Sequence, residues 1–271
     1  MDKLSKNRDI DTKIIEGWQK ISEPYQFRYQ IPTDDIHFGP MIPGNNELKI
    51  ISKVCGKNIL EIGCGGGQNT IFCAREGARR SVGIDPSSKQ LKYAQKSAKL
   101  HDIEVDFYPL KATELDRLNE CFDLVLSVYA LMYVENIKIV LEKVYAMLAD
   151  NGEVVISVDH PFRLSGEWID PTRFVVESYF ATGWQSWNYD FPESRVETTM
   201  YRFHRTIADW VNAFLEVGLK LKGLYEPLPV SKADDRFGII SKHGERSQKN
   251  IFTRDKLLRI PSTLIIHGVK L

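Results

Sequence analysis

The stretch ILEIGCGGGQNT, residues 59–70, decides the fold class of this chain. Its apolar beginning is typical of a buried strand, the glycines that follow form a turn, and a helical pattern starts at residue 68. Glycine permits positive φ angles and lets a ligand lie against bare backbone, close to the amide groups of a helix N-terminus. The stretch therefore predicts a strand, a ligand-binding turn and a helix.

Strand and helix patterns alternate along most of the chain. Strands are expected at 57–63, 81–85, 103–108, 122–128 and 152–158, with helices at 68–76, 87–100 and 136–149. A further helix at 205–217 and strands at 219–227 and 262–271 follow. Such alternation implies right-handed crossovers, so we predict an α/β fold with a doubly wound, mostly parallel sheet.

Three segments lie outside this alternation. Residues 1–56 begin with an amphipathic helix pattern that Pro24 is expected to end, and we predict that this helical segment covers the ligand site of a core formed by 57–271. Residues 162–203 are rich in aromatic side chains without a long helical period, which predicts an inserted cap. Residues 231–256 are charged, and we expect them to be rich in loops.

The composition argues against several classes of protein. Lys plus Arg and Asp plus Glu each total 36, so no net charge attracts nucleic acid or an acidic membrane surface. The four cysteines form no C-x-x-C pair, which fits neither a zinc site nor a disulfide framework, and we expect no bound metal. A charged N-terminal stretch without an apolar run predicts a cytoplasmic protein.

The residues around the glycines indicate which ligand the turn binds. A dinucleotide fingerprint needs glycine or alanine where this chain has Gln68, which disfavours an NAD(P)-dependent reductase. Glu61 would repel a pyrophosphate but attract a cationic ligand such as a sulfonium. Asp85 ends the next strand, where a carboxylate can accept hydrogen bonds from ribose hydroxyls. The alternative is that Asp85 only caps the helix after it and that the glycines only form a tight turn.

Together these motifs resemble the class I S-adenosylmethionine-dependent methyltransferases, especially the small-molecule branch called type 11. The resemblance rests on E-x-G-x-G-x-G at 61–67, the acidic strand end at Asp85, and the stretches FDLVLSVYALMYVEN at 122–136 and NGEVVISVDHP at 151–161. It implies a seven-stranded sheet of order 3-2-1-4-5-7-6 with the last strand antiparallel. It also implies S-adenosylmethionine as cofactor and a monomer or homodimer.

The resemblance also assigns the cofactor-binding residues. They are Tyr29, Glu61, Gly63, Gly65, Gly67, Asp85, Pro86, Gln90, Lys111, Ala112 and Ser127. Tyr29 and its neighbour Tyr25 are similar to aromatic residues that cover the cofactor in this branch, although ordinary packing explains them equally well. One position departs from the family, because Lys111 stands where an acidic residue usually meets the adenine amino group. The backbone amide of Ala112 remains available for a ring nitrogen.

Candidates for the chemistry follow the fifth strand. Methyl transfer to a hydroxyl or amine needs an aligned nucleophile and a base, and His160 at this strand end is the base we predict, oriented by Asp159. The alternative for His160 is a structural role in its loop. His204 is a weaker candidate, since a helix that starts with Thr206 as its cap explains that segment.

The expected acceptor pocket is lined by aromatic side chains of the cap and its surroundings. Its candidate residues are Tyr129, Trp168, Trp184, Trp187, Tyr189 and His204. For any single one of Trp168, Trp184, Trp187 and Tyr189, a satellite hydrophobic core beneath the insertion is the better explanation. We predict methyl transfer from S-adenosylmethionine to a small-molecule acceptor. The alternatives are a tRNA or protein methyltransferase and, because of Lys111, a protein that binds S-adenosylmethionine without catalysis.

Overall fold

The computed structural model describes the backbone of residues 3–230 and 253–271, with side chains from residue 9 onward. The strands are β1 (Asn58–Ile62), β2 (Arg80–Ile84), β3 (Asp106–Tyr108), β4 (Phe122–Val128), β5 (Leu148–Asp159), β6 (Gly166–Trp168), β7 (Phe174–Val176), β8 (Gly183–Phe191), β9 (Val196–His204), β10 (Lys220–Tyr225) and β11 (Thr263–Val269). The helices are α1 (Lys3–Tyr29), α2 (Asn45–Leu48), α3 (Gln68–Arg75), α4 (Ser88–Leu100), α5 (Ile137–Met147), α6 (Ile207–Glu216) and α7 (Arg254–Leu257).

Seven strands form one sheet of order β10-β11-β5-β4-β1-β2-β3. The strands from β3 to β5 are parallel, while β11 is antiparallel to both β5 and β10. Counted along the core alone, this is the predicted order 3-2-1-4-5-7-6 with an antiparallel last strand, so the predicted fold class is confirmed. The carboxyl ends of the five parallel strands therefore meet at one edge, where ligands of such sheets bind.

The two faces of the sheet bury separate hydrophobic clusters. Neighbouring residues of β1 illustrate this, because Leu60 packs in the cluster beneath α5 and α6 while Ile59 packs in the cluster beneath α3 and residues 36–54. Successive side chains of a strand point to opposite faces, so a strand buried on both faces is apolar at every position. This explains the continuous apolar runs in the sequence.

Local side-chain hydrogen bonds fix where the helices begin. The Ser87 hydroxyl accepts a hydrogen bond from the Gln90 amide at the start of α4, and the Asn136 side chain accepts one from the Ile139 amide at the start of α5. At the start of α6, Thr206 and Asp209 form a capping box. The alternative interpretation of the His204 segment, a helix start capped by Thr206, is thus confirmed.

The predicted end of the first helix at Pro24 is wrong. Helix α1 continues through Pro24 to Tyr29, although proline removes one backbone hydrogen bond and costs about 3 kcal/mol in a helix interior. Tertiary packing offsets this cost. Ile21, on the preceding turn, is fully buried with Phe191 and Met200, and Tyr25 and Tyr29 pack against the same cluster.

The cap of residues 162–203 contains two antiparallel hairpins, β6–β7 and β8–β9. The longer hairpin packs against α1, so that the cap and the N-terminal helix share one small core. The division of the chain into a covering segment and a core remains a prediction. The predicted loop-rich segment 231–256 lies outside the described residues as far as 252, and α7 forms part of its end.

Within the described ranges, none of the helices is both long and apolar enough to cross a membrane.

Candidate active site

A cavity of about 680 Å³ opens at the carboxyl ends of the parallel strands. Its floor is the glycine turn after β1, its roof is α1, and the hairpin β8–β9 closes one side. Twelve predicted site residues line it: Tyr29, Glu61, Gly63, Gly65, Asp85, Pro86, Gln90, Lys111, Ala112, Tyr129, Trp187 and Tyr189. Residues that lie up to 160 positions apart in sequence, from Tyr29 to Tyr189, therefore share one space, as the strand-end argument predicts.

Backbone geometry at the turn requires glycine. The amides of Gly63 and Cys64 both donate to the carbonyl of Ile84, at 2.8 and 2.9 Å, which holds the turn against the end of β2. Gly63 has a φ of +72°, and a Cβ at this position would overlap the Ala130 side chain. Gly65 also has a positive φ, of +52°, but the space around it is open. The turn therefore presents bare backbone to the cavity.

Asp85 is joined to the turn by its carboxylate. One oxygen accepts a hydrogen bond from the Gly65 amide at 3.0 Å, and the other accepts one from the Ser87 amide at 2.8 Å. Burial raises its pKa to about 6, although these two amides act in the opposite direction. The carboxylate still faces the cavity, so Asp85 both holds the turn and presents an acceptor to a ligand.

Glu61 lies beneath the turn and is 3% exposed. Its carboxylate accepts hydrogen bonds from the Asn69 side chain at 3.1 Å, from the Thr70 amide at 3.0 Å, and from the Thr70 hydroxyl. Burial nevertheless raises the pKa of Glu61 to about 7. A cationic ligand in the cavity would favour the ionised form, in agreement with the charge argument from the sequence.

Three glutamines join the roof to the floor. The Gln26 side chain of α1 donates to the Gln90 side chain at 2.9 Å and accepts from the Gln68 side chain at 2.8 Å. All three are buried, and Gly66 lies so close that a Cβ there would meet the Gln26 amide at 2.6 Å. No sequence pattern marks Gln26 as a site residue, and Gln68 is informative in the sequence only as a departure from the dinucleotide fingerprint.

Lys111 and Ala112 line another part of the cavity, together with Asp11 of α1 and Glu135. Burial raises the pKa of Asp11, with Lys111 opposing and Glu135 adding to the shift. The Lys111 amide donates to the Glu114 side chain at 2.9 Å, which fixes the start of a short 3-10 helix. The lysine that departs from the family pattern therefore lies among carboxylates that line the same space.

Six aromatic residues, which we call the aromatic wall, surround the space beside the turn. They are Trp18, Tyr25, Tyr29, Tyr133, Trp187 and Tyr189. Their rings contact one another in pairs. The centroid distances are 5.1 Å for Trp18–Tyr25, 4.6 Å for Tyr25–Tyr29 and 6.4 Å for the stacked pair Tyr133–Trp187. The wall suits a planar apolar ligand.

A buried ionic cluster adjoins this wall. Asp159, which ends β5, accepts hydrogen bonds from Arg163 on one oxygen and from Arg202 of β9 on the other, the second at 3.2 Å. All three residues line the cavity. In the sequence, Asp159 is predicted only as a partner for His160. Neither arginine is predicted there, although Arg163 stands four positions after Asp159.

The structure does not bring His160 to the cavity. Its Nε2 lies 2.7 Å from a Glu226 carboxylate oxygen, and its Nδ1 accepts the Phe162 amide at 3.2 Å. Both ring nitrogens are thus engaged, and burial lowers the pKa of the ring. Asp159 binds the arginines rather than His160. The imidazole that lines the cavity is His37, in the HFGP segment, where burial lowers the pKa to about 4 and keeps the ring neutral at pH 7.

Five other predicted residues lie outside the cavity lining. The Ser127 hydroxyl donates to the carbonyl of Ile62 at 3.0 Å, while Gly67 begins α3 against the ring of Phe107. His204 contacts the carbonyl of Tyr179 at 2.9 Å. Trp168 packs on Phe174, and Trp184 packs on Phe203. Trp184 points away because it lies an odd number of residues from Trp187 and Tyr189 on β8, and side chains alternate along a strand.

Comparison with known proteins agrees with this geometry. Residues 59–152, which include the glycine turn, Asp85 and Lys111, match the family model described as a methyltransferase domain. This match covers about a third of the chain, and in this part the chain is similar to methyltransferase domains. In fold, the chain is similar to a crystal structure of an S-adenosylmethionine dependent methyltransferase from Mesorhizobium loti, with a TM-score of 0.62, 21% identity, and coverage of 82% of this chain and 95% of the other.

Two relatives extend the comparison in sequence. An uncharacterized protein of Haemophilus influenzae is 24% identical over 217 residues, which cover 75% of this chain and 83% of the relative. A ubiquinone biosynthesis O-methyltransferase of Rhizobium etli is 33% identical over 102 residues, or 38% of this chain. The match spans only about two-fifths (41%) of that enzyme's length. The activity and the acceptor of this chain therefore have to be argued from its own cavity.

Among the described residues, no group of three or more histidines, cysteines, aspartates or glutamates is arranged to hold a metal ion.

Proposed function

We propose that this protein transfers the methyl group of S-adenosylmethionine to a small-molecule acceptor bound against the aromatic wall. The observation that carries the proposal is that one cavity contains both the glycine turn with its two carboxylates and the aromatic wall. A cofactor at the turn and an acceptor at the wall would lie side by side, which is what a transfer between them requires.

The residues at the turn fit the cofactor. Gly63 and Gly65 leave space for a ligand against the backbone, Asp85 offers an acceptor for ribose hydroxyls, and the Glu61 carboxylate favours the positive charge of a sulfonium. When bound, S-adenosylmethionine supplies an electrophilic methyl carbon, whose bond to sulfur breaks as the bond to the acceptor forms, leaving S-adenosylhomocysteine. The protein's part is to hold the two molecules in line and to exclude water.

The enclosure of the cavity supports a small acceptor rather than tRNA or protein. Helix α1 covers the turn, and the hairpin β8–β9 packs against that helix, so the aromatic wall is partly buried rather than displayed on an open surface. The neutral net charge also gives no field that would attract RNA. The name of the Rhizobium etli relative points to oxygen as the methylated atom in that enzyme, and an oxygen acceptor is consistent with the cavity described above.

The test measures the melting temperature with and without excess S-adenosylhomocysteine. Binding to the native state stabilises it by about 2.7 kcal/mol at 100 times the dissociation constant, so the wild-type melting temperature should rise by several degrees. Asp85→Asn should abolish this rise, because the variant lacks the charged acceptor and weakens the turn. The rise should persist in Asp123→Asn, a matched control whose carboxylate accepts the Asn58 amide at 2.7 Å away from the cavity.

An unchanged wild-type melting temperature would refute the proposal. A rise that persists in Asp85→Asn would remove Asp85 from the cofactor site. Tight binding without turnover of any acceptor would instead favour the non-catalytic binding protein, the alternative that Lys111 raises. A steep loss of RNA affinity with added salt would favour a tRNA methyltransferase.

A further inference from the structure

We propose that Asp11, in the first half of α1, accepts a hydrogen bond from the adenine amino group of the cofactor. It would thereby supply the acceptor that Lys111 cannot provide. This inference rests on the proposed function and specifies how the same site recognises its cofactor. It follows from the face that α1 turns toward the cavity and from the residues after β3 that line the cavity opposite it.

The strand order indicates where the adenine would lie. The reactive methyl group has to face the aromatic wall, since the acceptor is bound there. Asp85, the proposed ribose ligand, follows β2, and β3 adjoins β2 on the side away from β1. The base would therefore extend from the ribose toward the segment after β3, where Leu110, Lys111 and Ala112 line the cavity.

One face of α1 covers this end of the cavity. Four residues at the spacing of a single helix face line it: Asp11, Ile14, Ile15 and Trp18. Lys13 and Glu16, on the other side of the helix, are exposed. The two isoleucines offer an apolar cover for a flat ring, and Asp11 places an acceptor at the end of that cover.

The rise of the helix matches the length of the ligand. The Gln19 side chain donates to the Ser88 hydroxyl at 3.2 Å, which marks where α1 passes the segment that begins at Asp85. Asp11 lies eight residues earlier on α1, or about 12 Å along a helix that rises 1.5 Å per residue. Adenosine has a comparable length from its ribose hydroxyls to its amino group. Asp85 and Asp11 are therefore spaced to bind its two ends.

The electrostatics around Asp11 explain why a lysine is compatible with this site. Burial raises the pKa of Asp11, Lys111 opposes this shift, and Glu135 adds to it. The Lys111 ammonium group cannot accept a hydrogen bond from the adenine amino group. Its charge instead favours the ionised form of Asp11, and an ionised carboxylate is the stronger acceptor.

Glu135 is a second carboxylate at this end of the cavity. Its Oε2 atom is buried and makes no hydrogen bond with any described residue, so a ligand with N–H donors suits this end. Burial lowers the pKa of Arg205 to about 10, and Asp209 and Glu135 oppose this shift. The charge of Glu135 thus already acts on a buried guanidinium group. Glu135 also follows β4, whereas Asp11 lies on the helix face that would cover the ring, so Asp11 is the acceptor.

The experiment compares two ligands by calorimetry on the full chain. They are S-adenosylhomocysteine and its 6-deamino analogue, in which a hydrogen atom replaces the adenine amino group. The wild type should bind S-adenosylhomocysteine about 10- to 100-fold more tightly than the analogue, as for a hydrogen bond to a charged group. Equal affinities would overturn the inference. This comparison needs no variant, so a misfolded protein cannot obscure it.

Variants then locate the preference for the amino group. Asp11→Asn should reduce it several-fold, because a neutral amide oxygen accepts more weakly, and Asp11→Ala should remove it. Asp9→Asn is the matched control, since Asp9 lies on the same helix but pairs with Lys13 at 2.6 Å on the surface and does not line the cavity. It should keep the wild-type preference. Because each preference is a ratio within one protein, a general loss of stability cancels.

Glu135→Gln tests the rival acceptor. A preference that survives in Asp11→Ala would overturn the assignment to Asp11, and its loss in Glu135→Gln instead would transfer the role to Glu135. If the wild type binds S-adenosylhomocysteine and its analogue equally, this inference fails and the proposed function stands. If the wild type binds neither, the proposed function fails and the inference that rests on it fails as well.

Discussion

Gly63 and Gly65 belong to the same turn, but a larger side chain is disfavoured at the two positions for different reasons. Gly63 and Gly65 both have positive φ, where an L residue costs about 1–2 kcal/mol, but only Gly63 faces a neighbouring side chain, Ala130. Gly65→Ala should therefore lower the free energy of unfolding by about 1 kcal/mol. Gly63→Ala should lower it by at least a further ~2 kcal/mol, because overpacking adds to the backbone strain.

Urea denaturation of the two variants tests this difference. Gly65→Ala is the control, because its added Cβ causes backbone strain at positive φ but contacts no neighbouring side chain. Equal losses of stability in the two variants would show that the turn can move away from Ala130. The contact between residue 63 and Ala130 would then not fix the position of the turn.

The buried carboxyl group of Glu61 should make the free protein less stable as the pH rises. Its pKa is about 7 in the folded state against 4.5 for the unperturbed group, so the folded state binds the proton more tightly than the unfolded state. The stabilisation is then complete at low pH and is lost as the pH rises from about 4.5 to 7. Between pH 5 and 7.5 the free energy of unfolding of the wild type should fall by about 2 kcal/mol more than that of Glu61→Gln.

The comparison between the two proteins is essential, since other groups titrate in the same range. His37 has a lowered pKa of about 4, and it therefore favours the folded state at higher pH. This opposite contribution is present in both proteins, so it cancels in the difference between their free energies of unfolding. Parallel pH profiles for the two proteins would show that Glu61 is ionised throughout.

At the scale of elements, the glutamine cluster fixes α1 over the cavity. Gln26→Ala would leave the buried side chains of Gln68 and Gln90 without their partner, which should cost about 2 kcal/mol of stability. The variant should also bind S-adenosylhomocysteine more weakly, because the Gln26 side chain connects α1 to the residues beside the glycine turn. Chemical denaturation and calorimetry measure the two effects.

A control on the same helix is Gln19→Ala. Gln19 also reaches α4, through the Ser88 hydroxyl at 3.2 Å and the Lys89 amide at 3.2 Å, but these contacts are at the surface. Its loss should change stability by less than about 0.5 kcal/mol. If both variants behave alike, α1 is held by its apolar contacts rather than by the buried amides.

For the whole molecule, thiol reactivity reports whether the core is closed. All four cysteines are free, with Cys55 and Cys121 exposed and Cys64 and Cys73 buried. Burial raises the pKa of the two buried thiols, and the thiolate is the reactive form. A chromogenic disulfide reagent should thus modify two thiols quickly in the native protein and four in denaturant.

Cys64 extends this measurement to the cavity, which it lines. Saturating S-adenosylhomocysteine should slow the modification of Cys64 and leave Cys55 unchanged, as peptide mapping of the modified protein would show. Three or four fast thiols without denaturant would mean that the cavity opens readily in solution.

Much of the fold follows from patterns that a sequence displays directly. Apolar runs, glycines and caps set the strands and helices because they act over a few residues, and Asp85 is found by its place at a strand end. The strand order came from the family resemblance and is confirmed. The helix through Pro24 was missed, because the packing of Ile21 against residues far along the chain outweighs the local effect of proline.

What the sequence by itself determined is therefore the sheet, the glycine turn and the carboxylates beside it. Only the tertiary structure decided which side chains complete the cavity. Asp159 and Arg202 meet across 43 residues, and Gln26 and Gln90 across 64, while His160 turns away to Glu226. Local periodicity fixes the direction of a backbone, but the partner of a polar side chain depends on which distant segment the fold brings beside it.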